Sequence, residues 1–398
     1  MKKVFLSSLS GLPTNFSGGP NKVIYYILEY SETNKFDFYF LSKNHFFRYR
    51  KEKKQALKNP FFLKTILLNK LYNKFSLYRA VFSSPHYIKH FLEKSINRIG
   101  KILSEDNWEI LHSHDIRTLF NVVKKKGKII QTIHSKGSIV NDMKQIYGEK
   151  ETLKSMYENF KFKEKEAIEI IDVLTFPSVA AREIFFNDLE INSFSGSEKI
   201  IYNGIDLDYV VNLRPDYNFD EKFKWLEKYE FRLLTVGGHI KVKNIDKILK
   251  VFSLINEKKQ NSVLIIVGSG PLKDELKKLS RDLKLEAKVR FIDFLNYDDI
   301  LKLMKKCNIY ISLSERVIFD YVILEALACG MNVFASNDGG NKEIIDNSNG
   351  KLVDIDDLEA VAETILTSNL DFSDRAKNSV KKFDVKLMVN EYLKLYEE

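Results

Sequence analysis

Residues 307–337, CNIYISLSERVIFDYVILEALACGMNVFASN, hold two short apolar runs on either side of a segment that ends in glycine. The runs CNIYISLS and MNVFASN are continuous rather than alternating, as expected for parallel strands buried on both faces. Gly330 is the residue type expected just past a helix end, so the unit reads strand, helix, strand. Inside the helix, from Tyr321 to Ala328, Glu325 is the one acid in an otherwise apolar run. A carboxylate without a partner in such surroundings costs several kcal/mol or more, so Glu325 needs donors.

The same plan recurs along the chain. KKVFLSSL, FDFYFLS, WEILHSH, GKIIQTIHS, IDVLTFPS and EKIIYNGI precede residue 206, and FRLLTVGG, SVLIIVGSG and KVRFIDF follow it. Strands alternating with helical patterns give βα units, and 398 residues are too many for a typical single core. The expectation is two doubly wound α/β domains, residues 1–205 and 206–382. A closing amphipathic helix, 383–398, offers Val385, Leu387, Met388, Tyr392, Leu393 and Leu395 for packing. LRPDYNFDEKFKWLEKYE, from Leu213, is polar and charged and reads as a linker.

Composition is globular, 44% hydrophobic and 29% charged. Cys307 and Cys329 lack disulfide or metal spacing and favour a reducing compartment. MKKVFLSSLSGL is too short and serine-interrupted for a signal peptide, and no window suits a membrane-spanning helix. The expectation is a cytoplasmic protein.

The net charge of +9 is unevenly spread. Between His45 and Lys74, Arg48, Arg50, Lys51, Lys53, Lys54, Lys58, Lys64, Lys70 and Lys74 face Glu52 alone, among many aromatic and aliphatic residues. A helix pair with a solvated basic face is the first reading. An anionic membrane surface, at the inner face of the membrane, is the second. Nucleic acid is set aside.

Ligands of open α/β sheets bind beyond the carboxyl ends of the strands. After the first strand, Gly18 and Gly19 let backbone approach a ligand, and the helix from Pro20 offers free N–H groups. His112, His114 and His134 close two further strands. Two histidines two apart, with no acidic cluster, make a poor metal set, so no metal is expected. A structural histidine and one that hydrogen-bonds a sugar hydroxyl or stabilises developing charge both remain open for His134. In the second half, Lys241 and Lys243 follow two glycines between a strand and a helix, where a lysine can meet phosphate as a point charge. VGSGPLKDELKKL repeats the strand, glycine, helix plan.

Several stretches together resemble the family 4 glycosyltransferases, retaining enzymes of the GT-B fold with two Rossmann-like domains and an interdomain cleft. They are NFSGGPNKV, QTIHS, FPSVAAREIFF, KIIYNGIDLDYV, VGGHIKVKN, VGSGPLKDELKKL and the stretch from Ile311 to Val353. The resemblance implies that Glu325 binds the ribose hydroxyls of a nucleotide sugar. It also implies that the helix from Asp320, through Tyr321 and Val322, meets the diphosphate. Lys243 matches a lysine on the donor phosphates, His134 a histidine on the transferred sugar, and Gly18 and Gly19 a phosphate- and acceptor-side loop. Gly339, Gly340 and Glu343 match a Gly-Gly-x-x-Glu pattern that shapes the cleft wall.

Three positions depart from the pattern. Val317 stands where the family usually has another glutamate, Gly238 where it has an arginine, and Asp320 where it has a glycine. His239 and Lys241 are candidates to replace the arginine's charge, and Glu315 is a candidate substitute for the glutamate. The implied function is a metal-independent, retaining hexosyltransferase. It would move a sugar from a UDP- or GDP-linked donor to a glycan or lipid-linked glycan, in cell-surface polysaccharide or glycoconjugate synthesis, with no cofactor. The alternative is a catalytically impaired subunit that binds glycan or a partner enzyme. A GT-B epimerase or phosphorylase fits less well. The DLD at Asp206–Asp208 imitates a metal motif but belongs to the NGIDLDYV stretch.

Overall fold

The computed structural model describes residues 1–9, 12–14, 19–31, 35–43, 45–49, 85–124, 126–368 and 373–398. Gly18 and residues 50–74 of the basic segment lie outside the described residues. The chain forms two units, Met1–Tyr202 with Val389–Glu398, and Asn203–Met388.

The first unit is built on a seven-stranded sheet of order β3-β2-β1-β4-β5-β6-β7. The strands are β1 Lys2–Ser7, β2 Phe36–Leu41, β3 Phe46–Arg48, β4 Ile110–Ser113, β5 Lys128–Thr132, β6 Val173–Phe176 and β7 Ser197–Ile200. All pairings are parallel except that of β3, which lies antiparallel on β2 at one edge. The helix Val179–Leu189 packs on β6 through the fully buried Phe185, whose ring centre lies 5.8 Å from that of Phe176.

The second unit carries a six-stranded sheet of order β10-β9-β8-β11-β12-β13. Its strands are β8 Phe231–Val236, β9 Ser262–Val267, β10 Val289–Ile292, β11 Ile309–Ser312, β12 Asn332–Ser336 and β13 Gly350–Val353. Every pairing is parallel. β9, β11 and β12 are buried along their whole length, which is why they read as unbroken apolar runs.

The observed elements differ from the sequence reading in three places. The supposed linker is folded: Tyr217–Phe223 is a helix capped by Asp216, followed by a tight turn to Lys228. It buries Phe219, Phe223 and Leu226 and pairs Lys302 with Asp216 and Lys306 with Asp220. The basic segment begins as strand β3, not as a helix, and Arg48 within it is paired with Asp37 at 2.6 Å. The closing helix, Val385–Glu397, buries Val385, Met388, Tyr392 and Leu395 as expected, but Leu387 is exposed and Val389 and Tyr396 are buried.

That helix is tied to the first sheet from several sides. Lys2 donates to the carbonyls of Tyr396 and Glu397, both at 2.9 Å, so a cation meets the negative end of the helix. Lys128 donates to the Leu395 carbonyl at 2.8 Å.

Candidate functional site

Both sheets change winding direction beside their first strand, between β1 and β4 and between β8 and β11. In open sheets of this kind ligands sit beyond the carboxyl ends at that point. In the second unit, the loops leaving β8 and β11 there carry Lys243 and Asp320.

Lys243 ends a tight turn, Lys241–Lys243, and its stem lies over Gly237, where an added Cβ would stand 3.5 Å from Cδ and Cε. Asn244 follows in the left-handed region, φ 47°, and its side-chain amide donates to the Leu313 carbonyl at 2.9 Å. Glu315 N–H donates to the Val242 carbonyl, also at 2.9 Å. These two bonds fasten the β8 exit to the β11 exit and set Lys243 Nζ 3.7 Å from Asp320 Oδ2.

Asp320 is 9% exposed and caps the helix Tyr321–Ala328, with Oδ1 accepting from Val322 N–H at 3.0 Å. Tyr321 and Val322 form the half-buried first turn. Glu325 is 4% exposed, and its Oε1 accepts from the Tyr297 hydroxyl at 2.9 Å. Glu325 therefore has a donor, supplied from outside its apolar run. Tyr297 opens the helix Tyr297–Lys306, 28 residues away, where nothing in the local sequence points to Glu325.

Glycines hold this frame by close backbone contact. A Cβ on Gly339, φ 46°, would lie 1.9 Å from the Val317 carbonyl oxygen, and one on Gly340 would lie 2.0 Å from that of Ile318. Gly340 N–H donates to the Val317 carbonyl, and Asp338 Oδ1 accepts from Val317 N–H, both at 2.8 Å. The Val317 side chain is buried. Glu343 sits half-buried on the short helix Asn341–Ile344. Gly268, φ 136°, stands where a Cβ would lie 2.0 Å from the Gly237 carbonyl oxygen, and at Gly270 it would lie 2.6 Å from that of His239. The glycines of VGSG thus serve loop-to-loop packing.

Gly238 is different: a Cβ there meets nothing nearer than the Ser269 carbonyl oxygen at 3.8 Å. Space exists for a side chain that the sequence does not supply. His239 does not supply the charge, because its ring is fully buried, packs edge-on to Phe291 at 6.2 Å, and has its pKa lowered by that burial. Lys241 is exposed.

In the first unit, Gly19 caps the helix Pro20–Tyr30 with φ 52°, which is what requires glycine there. His112, His114 and His134 form a row at the ends of β4 and β5, the first two rings tilted with centres 4.1 Å apart and the last two stacked at 5.3 Å. His112 is satisfied at both nitrogens, by the Tyr396 hydroxyl at 2.5 Å and the Thr132 hydroxyl at 2.7 Å. His114 Nδ1 lies 3.0 Å from His134 Nε2, so one donates, the other accepts, and each fixes the other's tautomer. Burial pushes His112 and His134 down to about 3, and His114 well below its usual value. His134 is only half-buried as a residue, yet the desolvated sheet end keeps its ring neutral. A neutral His134 offers a hydrogen bond but no positive charge.

The loop after His134 is anchored by residues the sequence did not single out. Asp188 Oδ2 accepts from Ser138 N–H at 3.1 Å and from the Asn141 amide at 2.6 Å. Glu164, fully buried, accepts from Ile139 N–H with both oxygens, at 2.9 and 3.2 Å. Burial lifts the Glu164 carboxyl to about 8, against the Ile139 N–H and the nearby Arg117 charge.

Among the described residues no group of three His, Cys, Asp or Glu is arranged to hold a metal, and no helix is long and apolar enough to cross a membrane. Asp206 is instead a helix cap for Tyr209 N–H, and Asp208 pairs with Lys386 at 2.8 Å.

Comparison with known proteins agrees with this frame. The sequence profile of the family described as Glycosyl transferases group 1 matches residues 218–379, most of the second unit. An uncharacterised glycosyltransferase of Methanocaldococcus jannaschii is 29% identical over 298 residues, 69% of this chain and 70% of that protein. A Campylobacter jejuni relative, N-acetylgalactosamine-N,N'-diacetylbacillosaminyl-diphospho-undecaprenol 4-alpha-N-acetylgalactosaminyltransferase, is 30% identical over 216 residues, 51% of this chain and 55% of its own. Sucrose-phosphate synthase of Thermosynechococcus elongatus shares the fold at a TM-score of 0.72 and 15% identity, with 100% of this chain and 98% of that one covered. Residues 218–379 thus match the group 1 glycosyl transferases, and the two-sheet fold of the chain is that of the GT-B glycosyltransferases.

Proposed function

We propose that the protein transfers a sugar, with retention of anomeric configuration and without a metal, from a UDP- or GDP-linked donor to a lipid-linked glycan. The observation that carries this is the meeting of Lys243 with Asp320 at the amino end of the helix Tyr321–Ala328, the helix that also bears Glu325. The positive amino end of the helix Tyr321–Ala328 and the Lys243 ammonium suit a diphosphate. Glu325 suits ribose hydroxyls, whose charge-assisted bonds are each worth about 1.5–3 kcal/mol. As the sugar leaves, Lys243 and the helix amides hold the charge that grows on the diphosphate, and neutral His134 hydrogen-bonds the sugar. Gly18 and Gly19 are assigned to the phosphate and acceptor side. The Campylobacter jejuni relative, named for a diphospho-undecaprenol-linked acceptor, supports the lipid-linked choice.

The unpaired cysteines suit the reducing cytoplasm. The basic segment at residues 45–74 suits the inner membrane face, and sedimentation with anionic vesicles at low and high salt tests it.

A second reading, a glycosyltransferase-like subunit without turnover, is favoured by the buried Val317, the bare Gly238 and the pairing of Lys243 with Asp320. A panel of UDP- and GDP-sugars, with nucleotide release followed with and without lipid-linked acceptor, separates the two. Binding without turnover supports the second reading, and no binding at millimolar concentration sinks the first together with the role given to Glu325.

A further inference from the structure

We propose that Asp320 is a resident counter-ion of Lys243 that competes with the donor diphosphate and speeds release of the nucleoside diphosphate product. This inference rests on the donor site proposed above. Asp320 makes two contacts with its two oxygens. Oδ1 caps the helix at Val322 N–H, 3.0 Å, and Oδ2 faces Lys243 Nζ at 3.7 Å. The second contact is an ion pair too long for a hydrogen bond. Among the described residues no hydrogen bond fills the donors of Lys243, so its ammonium is matched in charge but not in hydrogen bonding. An anion arriving at Lys243 gains those donors, and in doing so meets a carboxylate that helix capping holds in place. Asp320 is 9% exposed, so water screens this repulsion less than it would at the surface.

The repulsion is not equal for substrate and product. A nucleotide sugar carries one ionisation on each phosphate. The free nucleoside diphosphate has a further one near pH 6, so at neutral pH it bears almost one more negative charge. A fixed carboxylate at this end of the site therefore weakens product binding more than donor binding. In the pair with Asp320, Lys243 also has a neutralised resting state, which relieves the cost of a half-buried lone cation.

Asp320→Asn tests this, because asparagine caps a helix as well as aspartate does and removes only the charge. Calorimetric titration with UDP, GDP, UDP-glucose and GDP-mannose, in EDTA, is run on wild type and variant, with Tm recorded for both. The expected result is that whichever diphosphate binds wild type binds Asp320→Asn about tenfold more tightly. The gain is smaller for the corresponding nucleotide sugar and shrinks as salt rises. Binding to the variant alone also supports the proposal. Unchanged or weaker diphosphate binding by a variant of wild-type Tm overturns it while the donor-site reading stands. So does wild-type binding that appears only with added Mn²⁺ and is lost in the variant, which makes Asp320 a metal ligand. If neither protein binds any of the four compounds, the donor-site reading fails and takes this inference with it. Should Asp320→Asn be unstable, Asp320→Ser, which also caps a helix and carries no charge, provides the second measurement. The same gain in diphosphate affinity is expected, and unchanged or weaker binding overturns the proposal.

Discussion

Replacing Glu325 with glutamine separates a carboxylate kept for a ligand from one kept for the fold. The side chain is 4% exposed and has the Tyr297 hydroxyl 2.9 Å from Oε1. Glutamine keeps the shape and a carbonyl oxygen to accept that bond. It removes the charge, whose desolvation opposes folding. On the fold side, Glu325→Gln should therefore leave Tm unchanged or raise it. On the ligand side, two ribose hydroxyls donate to a carboxylate at about 1.5–3 kcal/mol each, against about 0.5–1.5 kcal/mol for neutral acceptors. The difference, about 2–3 kcal/mol for the pair, corresponds to roughly 30- to 150-fold in Kd. Calorimetric titration with UDP and GDP reads the affinity, and thermal unfolding of the same samples reads stability. Tyr297→Phe is the contrasting variant: it keeps the carboxylate charge and withdraws one donor, so it should lower stability by about 1–3 kcal/mol with a smaller change in Kd. Wild-type affinity in Glu325→Gln, or a Tm loss of several degrees with Kd unchanged, refutes the ribose assignment.

Gly268→Ala places a methyl 2.0 Å from the Gly237 carbonyl oxygen at a φ of 136°, so it should displace the β8 exit loop. A loss of roughly 1–3 kcal/mol or more in stability is expected, together with weaker diphosphate binding, whereas Gly238→Ala should be close to neutral in unfolding. With His112 and His134 lowered to about 3 in the folded state, unfolded chains take up protons first. Stability should then fall as pH drops from about 6.5 toward 3, by roughly 1.4 kcal/mol per unit for each ring, and a flat urea midpoint across that window contradicts their buried neutrality. Glu164 has the opposite sign of shift for an acid: its carboxyl, raised to about 8, keeps its proton when folded, so wild type loses stability as pH rises from about 4.5 to 8. Glu164→Gln should gain Tm at pH 8 and show no gain at pH 4.5, and a lower Tm at pH 8 would contradict the buried carboxyl's cost.

The long, fully buried strands were legible because burial on both faces leaves no polar positions to interrupt them. β3 and β13 were not, since Phe46–Arg48 is half-buried at a sheet edge and Gly350–Val353 opens with glycine and lysine. In the supposed linker, Phe219, Phe223 and Leu226 stand at helical spacing, but Pro215 and the density of charge masked it. Lys243 was singled out by strand-end logic, and Asp320 and Glu325 by the family resemblance. Tyr297 did not, because its bond to Glu325 depends on how two helices pack. Nor could spacing tell that the ring of His239 turns toward Phe291, which removes it as a substitute for an arginine at Gly238.

The departures from the family pattern fall on side chains that carry charge, while the positions fixed by backbone contact keep the residues that contact demands. Gly268, Gly270, Gly339 and Gly340 each stand where a Cβ would lie 2.6 Å or less from a carbonyl oxygen. Asn244 and Asp338 supply the side-chain bonds that link the loops. The loop frame is therefore independent of what residues 238, 317 and 320 bring. Losing a glutamate at Val317 costs the frame nothing, because it is the Val317 peptide and not its side chain that meets Asp338 and Gly340. Such a frame lets the charge around a diphosphate be retuned without refolding the site. A bare Gly238 and an acidic Asp320 would weaken diphosphate binding under either proposed function, which makes nucleotide release in the presence of acceptor the measurement that divides the two.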